Sequence, residues 1–389
     1  MSANVVPPNR SRRLLSIDGG GLCGIIPAQA LIEIEKQLDD LTGDPQPLYK
    51  RFDLIGGTST GAILAAGLAL GFNAQQMLDF YLNLGPDIFK KDWLLERPWH
   101  KYPSAPIEQC LKDKFGETTT LGDASLRTMI LLVAKNATQG NDWFFTNNPG
   151  NRFFENNKDI PLWHIVRASS AAPTYFPPHA FAVPDNTGTP QTYEFIDGGV
   201  SSYNNPSFQV FLEATVPEYG INWPMGVSNM LLMSLGTGYA PVTIAEGKAK
   251  DYTLLKWASY ILKQLMNEAN LEQNVLMSLI GERPVQALSA SANAAIARAC
   301  PGTPSESALT HVSAGLGPAK LLTYQRITIG LSRERLDQIG SATGIPLHDV
   351  DPVKVREMDA VDQIPNMRLV GEAVAKEQVH MERLISFFK

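Results

Sequence analysis

The stretch Phe52-Asp53-Leu54-Ile55-Gly56-Gly57-Thr58-Ser59-Thr60-Gly61, running on into Ala62-Ile63-Leu64-Ala65-Ala66-Gly67-Leu68-Ala69-Leu70, decides the fold class. A short apolar run from Phe52 to Ile55 reads as a buried strand, and Gly61 to Leu70 reads as a helix. Between them lies G-x-S-x-G, the sequence of a nucleophile elbow, in which a sharp strand-to-helix turn exposes a serine hydroxyl. Gly57 and Gly61 are the elbow glycines and Ser59 is the candidate nucleophile. The helix that follows directs its positive end toward Ser59, where negative charge is favoured.

The same alternation continues on both sides. Leu14 to Ile17 reads as a strand and Ile25 to Leu38 as a helix; Met129 to Ala134 and Met230 to Leu235 read as two more buried strands. Strands alternating with helices predict an α/β fold with a mainly parallel central sheet. Between the first strand and helix stands Asp18-Gly19-Gly20-Gly21-Leu22-Cys23-Gly24, whose backbone N–H groups suit either a phosphate or the oxyanion of a tetrahedral intermediate. Gly19, Gly21 and Gly24 satisfy G-x-G-x-x-G, but a dinucleotide site also wants an acid at the end of the second strand. Here Asp53 begins that strand and a serine elbow ends it, so the oxyanion reading is preferred. A third element, Glu194-Phe195-Ile196-Asp197-Gly198-Gly199, followed by Asn204-Asn205-Pro206, puts a carboxylate on a tight turn where it can act as a general base. Asn147 to Tyr203 is rich in Pro, Asn and Gly and should be dominated by loops.

Composition narrows the alternatives. The chain has 389 residues, 44% hydrophobic and 19% charged, which is enough apolar material for one large domain or two ordinary ones. A net charge of -6 argues against coating DNA or RNA. Cys23, Cys110 and Cys300, the three cysteines, have neither a disulfide framework nor metal-ligand spacing, which suggests a reducing, cytoplasmic compartment. Met1 to Arg13 has a basic end, but the segment after it is broken by Asp18 and four glycines and makes no signal-peptide core. The longest uncharged apolar stretch, Ala62 to Leu70, is far short of the roughly 20 residues that span a bilayer. Any membrane contact is therefore expected to be peripheral.

Three parts are expected: a tail over residues 1–12, a catalytic domain over 13–240, and a mostly helical region over 241–389 packed on it. Leu254, Leu255, Ala258, Ile261, Leu262 and Leu265 fall at helical spacing, and a last helical pattern runs through Val370, Val374, Val379, Leu384 and Phe388. Thr253 to Ile280 has a wide apolar face, suited to core or homodimer packing first and to membrane docking second. Ala287 to Gly317 reads as a long loop or a lid, and Trp93, Trp99, Tyr102, Lys90, Lys91, Arg97 and Lys101 form an aromatic and basic cluster. His311, His348 and His380 follow Asp197, so chain order permits a Ser-Asp-His triad, but none lies in a glycine-flanked loop. His164 and His179 precede it and read as structural.

Taken together, the ordered motifs Asp18 to Gly24, Gly57 to Gly61 and Asp197 to Gly199, with Arg167-Ala168-Ser169-Ser170-Ala171-Ala172-Pro173-Thr174-Tyr175-Phe176-Pro177-Pro178 between the last two, make the sequence resemble the patatin-like phospholipases over Arg13 to Gly238. The resemblance implies a three-layer α/β/α fold and a lipid acyl hydrolase of the phospholipase A type, acting through a Ser59–Asp197 dyad and an acyl-enzyme. It implies an oxyanion hole from the N–H groups of Gly20 and Gly21, in the run Gly19 to Gly21, with no metal and no cofactor. Its substrate would be a phospholipid or another lipid ester, reached from the inner face of the membrane. Cys23 stands where the family pattern has arginine, which removes a cation near the site. It reads as a small packed side chain, with a reactive thiol as the alternative. Bacterial effectors of this family also carry a helical C-terminal region and answer to a cyclic nucleotide in antiphage defence, so such an activator is the second expectation. It rests on resemblance alone, since no nucleotide-binding motif is present and Arg12, Arg13, Arg97, Lys101 and Arg152 are scattered.

Overall fold

The computed structural model describes residues 10–89, 100–185, 187–240, 243–284 and 319–389. Its strands are β1 (Arg12–Ile17), β2 (Leu54–Thr58), β3 (Met129–Asn136), β4 (Asn141–Thr146), β5 (His179–Pro184), β6 (Pro190–Asp197), β7 (Met230–Leu235), β8 (Gly281–Glu282) and β9 (Leu322–Ile327). The main helices are α1 (Ile25–Thr42), α2 (Thr60–Leu70), α3 (Ala74–Ile88), α4 (Ala105–Phe115), α5 (Leu162–Ser169), α6 (Ser207–Thr215), α7 (Leu254–Ile280), α8 (Arg333–Thr343) and α9 (Ile364–Gln378). The strands form one sheet in the order β5-β6-β3-β2-β1-β7-β9-β8, with β4 also on β3. β3, β2, β1, β7, β9 and β8 run parallel, whereas β4, β5 and β6 add antiparallel pairings. This is the mainly parallel α/β architecture that the strand-helix alternation predicts.

Alternation along the buried strands makes the layers. Leu15, Ile17, Ile55 and Leu132 point to one face, where α1, α2 and α9 cover them; Leu14, Leu54, Leu131 and Leu232 point to the other, under α6 and α7. With both faces covered, strands such as Met230–Leu235 are buried along their whole length.

The site is built where β3 changes neighbour. β2 pairs with the first part of one β3 edge, ending with Thr58 opposite Val133. β6 takes the edge over from there, with Asp197 opposite Ala134. Two strands that abut end to end on one edge must bring their ends together, so the turn after Thr58 and the end of β6 meet.

The residues expected to form a mostly helical region beyond 240 also contribute strands. β9 joins β7 in parallel, and β8 extends the edge, so residues beyond 240 complete the sheet as well as adding helices. The reason is that β7 would otherwise leave a row of unpaired backbone groups. α9 likewise belongs to the core: Val370, Ala373 and Val374 are buried, and Gly371 approaches α1 so closely that a Cβ there would lie 2.9 Å from Gln29 Cγ and 3.2 Å from Ile26 Cα. The last helical pattern stops at Gln378, with Val379, Leu384 and Phe388 buried beyond it. The tail over residues 1–9, the cluster from Lys90 to Trp99, His311, Cys300 and the segment Ala287 to Gly317 lie outside the described residues.

Replacing Gly371 by valine is expected to lower unfolding stability by about 1–3 kcal/mol, because neither Ile26 nor Gln29 can retreat without opening the α1–α9 contact. Urea unfolding followed by circular dichroism measures this, and an unchanged midpoint would contradict the close approach.

Candidate active site

Ser59 sits at the turn between β2 and α2 with φ +56° and ψ -120°, a conformation that a serine adopts only where its surroundings enforce it. The two elbow glycines are required by space, not by φ. A Cβ on Gly57 would overlap the Gly61 carbonyl oxygen, and one on Gly61 would overlap that of Ile17. The Ser59 N–H donates to Ser169 Oγ at 2.9 Å, and Ser169 in turn donates to the Val133 carbonyl at 2.5 Å. Ser169 thus ties the strained elbow to β3.

Ser59 Oγ donates to Asp197 Oδ2 at 2.6 Å. The other carboxylate oxygen accepts the Gly199 N–H at 2.7 Å, and the Asp197 N–H donates to the Ala171 carbonyl at 3.0 Å. Asp197 is fully buried, and burial pushes its carboxyl up to about 7 against the hydrogen bonds from Ser59 and Gly199 and the charge of Arg167. Arg167 is itself buried, donates to the Pro177 carbonyl at 3.0 Å, and pairs with Glu108 at 3.6 Å. The Arg167-to-Pro178 stretch therefore serves both ends of the serine–carboxylate contact.

The glycine loop crosses beside Ser59. Gly19 is held at both ends of its peptide: its N–H donates to the Asn204 carbonyl at 3.0 Å, and its carbonyl accepts from Thr237 Oγ1 at 2.6 Å. Gly19 therefore has no N–H left for a ligand, while those of Gly20 and Gly21 make no hydrogen bond among the described residues. Gly21 has φ +58°, and the Leu22 N–H donates to the Met358 carbonyl at 2.9 Å. Asp18, which begins the loop, is buried and ion-paired with Arg326 of β9; burial raises its carboxyl, and the Arg326 charge works against that. Sequence pattern gives no role to Ser169 or Asn204, though both stand in its motifs, and no sign of Arg326 or Met358, since each acts through a contact distant in sequence.

Other candidates separate from the site. Cys23 is buried with Sγ 3.6 Å from the Val355 carbonyl, and burial pushes its thiol up to about 12, the opposite of an activated thiol. His164 Nδ1 and His179 Nε2 lie 2.7 Å apart, and burial lowers both, His179 to about 3. His348 lies beside Asp349 and His380 beside the Glu377 carbonyl. No described histidine lines the cleft at Ser59. Among the described residues there is no group of His, Cys, Asp or Glu able to hold a metal ion, and no helix long and apolar enough to cross a membrane. Arg12 stacks over Trp223, Arg13 pairs with Asp53, Lys101 pairs with Asp359 and Arg152 lies over Phe153; Arg97 is outside the described residues. None of those described lines the cleft at Ser59.

Ser59 and Asp197 face a cleft with about 710 Å³ of open space, its mouth included. Its walls are apolar, with Leu22, Ile63, Phe80, Ile88, Phe176 and Met266 among them. An activated-looking serine at the polar end of an apolar cleft, on a sheet of this order, is the arrangement of a lipid acyl hydrolase class. The patatin-like phospholipase profile matches residues 15–210, and the chain belongs to that family. It is 31% identical to Patatin-17 of Solanum cardiophyllum over 64% of this chain and 67% of that one, and 34% identical to Patatin-like protein 2 of Arabidopsis thaliana over 64% and 65%. It is also 31% identical to a Solanum tuberosum protein named probable inactive patatin-3-Kuras 1, over 63% and 68%. The chain thus spans about two thirds of the length of these relatives. VipD from Legionella pneumophila overlaps 92% of this chain and 67% of its own with a TM-score of 0.39 and 12% identity.

The charge state of Asp197 is open to direct measurement through stability against pH. The native state holds the Asp197 proton more tightly than the unfolded chain does, so wild-type stability falls as pH rises from about 4 to 7, and above 7 the protein carries a buried charge. Asp197→Asn removes that charge, with the amide oxygen still accepting from the Gly199 N–H and the amide N–H now donating to Ser59 Oγ. Its melting temperature should exceed the wild-type value by about 2 °C or more at pH 8, with the difference shrinking toward pH 5. An offset independent of pH would contradict the shifted carboxyl.

Proposed function

We propose that the protein hydrolyses carboxylic esters of membrane phospholipids, with Ser59 as nucleophile and Asp197 as the base that serves it. The observation that carries this reading is the 2.6 Å contact between Ser59 Oγ and a buried carboxylate in an apolar cleft. Asp197 takes the hydroxyl proton as Ser59 Oγ bonds to the ester carbonyl carbon. The oxyanion that forms accepts from the Gly20 and Gly21 N–H groups. As the tetrahedral intermediate collapses, the carbon–oxygen bond to the alcohol breaks and Asp197 returns the proton to the departing oxygen. Water then repeats the sequence on the acyl-enzyme and releases the fatty acid. A carboxyl near 7 suits both halves, since it is a better base than an ordinary aspartate and still surrenders its proton at neutral pH.

The apolar walls would hold the acyl chain. α7 supports a peripheral approach to the bilayer: Leu262 and Met266 line the cleft, while Leu254, Ile261 and Leu265 of the same helix are exposed. A cyclic-nucleotide activator gains no support from the scattered arginines, each of which has another partner where it is described.

Purified protein, Ser59→Ala and Asp197→Ala should be compared on phosphatidylcholine and on a neutral ester of the same acyl length. Ser59→Ala should release no fatty acid above background, and Asp197→Ala should lose about 10² to 10⁴-fold in kcat. Wild-type rates in either variant would remove the proposal. The histidine alternative is read in the same assay, where His348→Ala and His380→Ala should keep wild-type kcat.

A further inference from the structure

Apart from Ser59 and Asp197, the polar side chains that line the apolar cleft among the described residues are Thr60, Tyr81, Ser170 and Tyr175. Thr60 and Tyr81 satisfy each other: their hydroxyl oxygens lie 2.5 Å apart, and Tyr81 also donates to the Thr60 carbonyl at 3.0 Å. Ser170 Oγ and the Tyr175 hydroxyl are buried with no hydrogen-bond partner among the described residues. A buried hydroxyl left unpaired is costly, so it calls for a reason.

Tyr175 packs under Lys101, whose Nζ lies 4.3 Å from its ring centre. Ser170 stands between the anchors of the serine and the carboxylate. On one side of it in the chain, Ser169 Oγ accepts the Ser59 N–H at 2.9 Å; on the other, the Ala171 carbonyl accepts the Asp197 N–H at 3.0 Å. Consecutive Cα atoms are about 3.8 Å apart, so Ser170 is held one residue from each of these contacts. Its backbone is committed as well, the N–H donating to the Val166 carbonyl at 3.0 Å and the carbonyl accepting the Ala172 N–H at 3.0 Å. The hydroxyl is what this anchor leaves unused, and it faces the cleft that holds the reacting groups.

Hydrolysis of an acyl-enzyme creates a need for such a group. Once Ser59 Oγ carries the acyl chain it has no proton to give Asp197 Oδ2, while Asp197 Oδ1 stays on the Gly199 N–H. Oδ2 is then open to a water, and a water in a protein interior is held only where it finds two or more polar partners. The attacking water must aim a lone pair at the acyl carbon and one O–H at Asp197, which leaves its second O–H in need of an acceptor. We infer that Ser170 Oγ holds the water that hydrolyses the acyl-enzyme, accepting one O–H while Asp197 takes the proton of the other. This rests on the reading of Ser59 as nucleophile. The water oxygen bonds to the acyl carbon, its proton passes to Asp197, the bond from that carbon to Ser59 Oγ breaks, and Asp197 returns the proton to Ser59. Ser170 keeps its own proton throughout, so it positions the water and exchanges nothing with it.

The role separates the two halves of the reaction, because acylation needs no water. Wild type and Ser170→Ala are mixed with excess p-nitrophenyl butyrate, quenched in acid at steady state and weighed intact by mass spectrometry. The ratio of acylated to free enzyme should be about tenfold higher in Ser170→Ala, with kcat and KM lowered together and kcat/KM unchanged. Labelling of Ser59 by a fluorophosphonate, which also needs no water, should proceed at the wild-type rate. A side chain that merely supports the elbow would slow both halves, and an acylated-to-free ratio that stays at the wild-type value or falls below it overturns the inference. Ser59→Ala distinguishes the two levels: if it hydrolyses the ester at the wild-type rate, the nucleophile reading itself fails, whereas an inactive Ser59→Ala with an unchanged ratio in Ser170→Ala removes the water site alone.

Discussion

Thr58 and Asp197 are consecutive along a single edge of β3, opposite Val133 and Ala134, and the rest of the site depends on that abutment. Because β2 ends where β6 arrives, the hydroxyl after one strand and the carboxylate at the end of the other are pressed into contact inside the sheet. A carboxylate there has little water, so its proton affinity rises, and the cost of burying it is offset by hydrogen bonds from Ser59 and Gly199. A site that strains Ser59 and desolvates Asp197 needs a rigid frame. The frame is the hydrogen-bonded set of Ser169, Ala171 and Arg167 on one side and the glycine loop on the other.

That loop is fixed from far away in the chain. Asp18 is paired with Arg326 of β9, Gly19 with Asn204 and Thr237, and Leu22 with Met358, so Thr237, Arg326 and Met358, all beyond the family match at 15–210, help hold the Gly20 and Gly21 amides in place. The C-terminal part is better understood as half of the site's frame than as an addition packed on a finished domain.

The elbow, the glycine loop and Asp197 were legible because each is a short local pattern: glycines where a Cβ would overlap backbone, and an acid or serine at a strand end. β9 was not legible, for a physical reason. Thr323, Gln325 and Arg326 give it a polar look, and the Arg326 side chain, 10% exposed, is held inside because Asp18, 308 residues earlier, neutralises it. Ser169 was quoted within a motif without a role, since its task is set by Val133 and the Ser59 amide, neither near it in sequence. In the glycine run, Gly19 looked equivalent to Gly20 and Gly21, and only the Asn204 carbonyl distinguishes it.

The central claim is that a buried carboxylate with its proton affinity near neutrality activates Ser59. The rate at which an uncharged fluorophosphonate labels Ser59, followed by mass spectrometry from pH 5 to 9, measures that activation without reference to substrate or headgroup. The account predicts a rate that falls about tenfold per pH unit below an inflection near 7 and is level above it. An inflection near 4, where an exposed aspartate titrates, or a rate that does not change over this range, would contradict it.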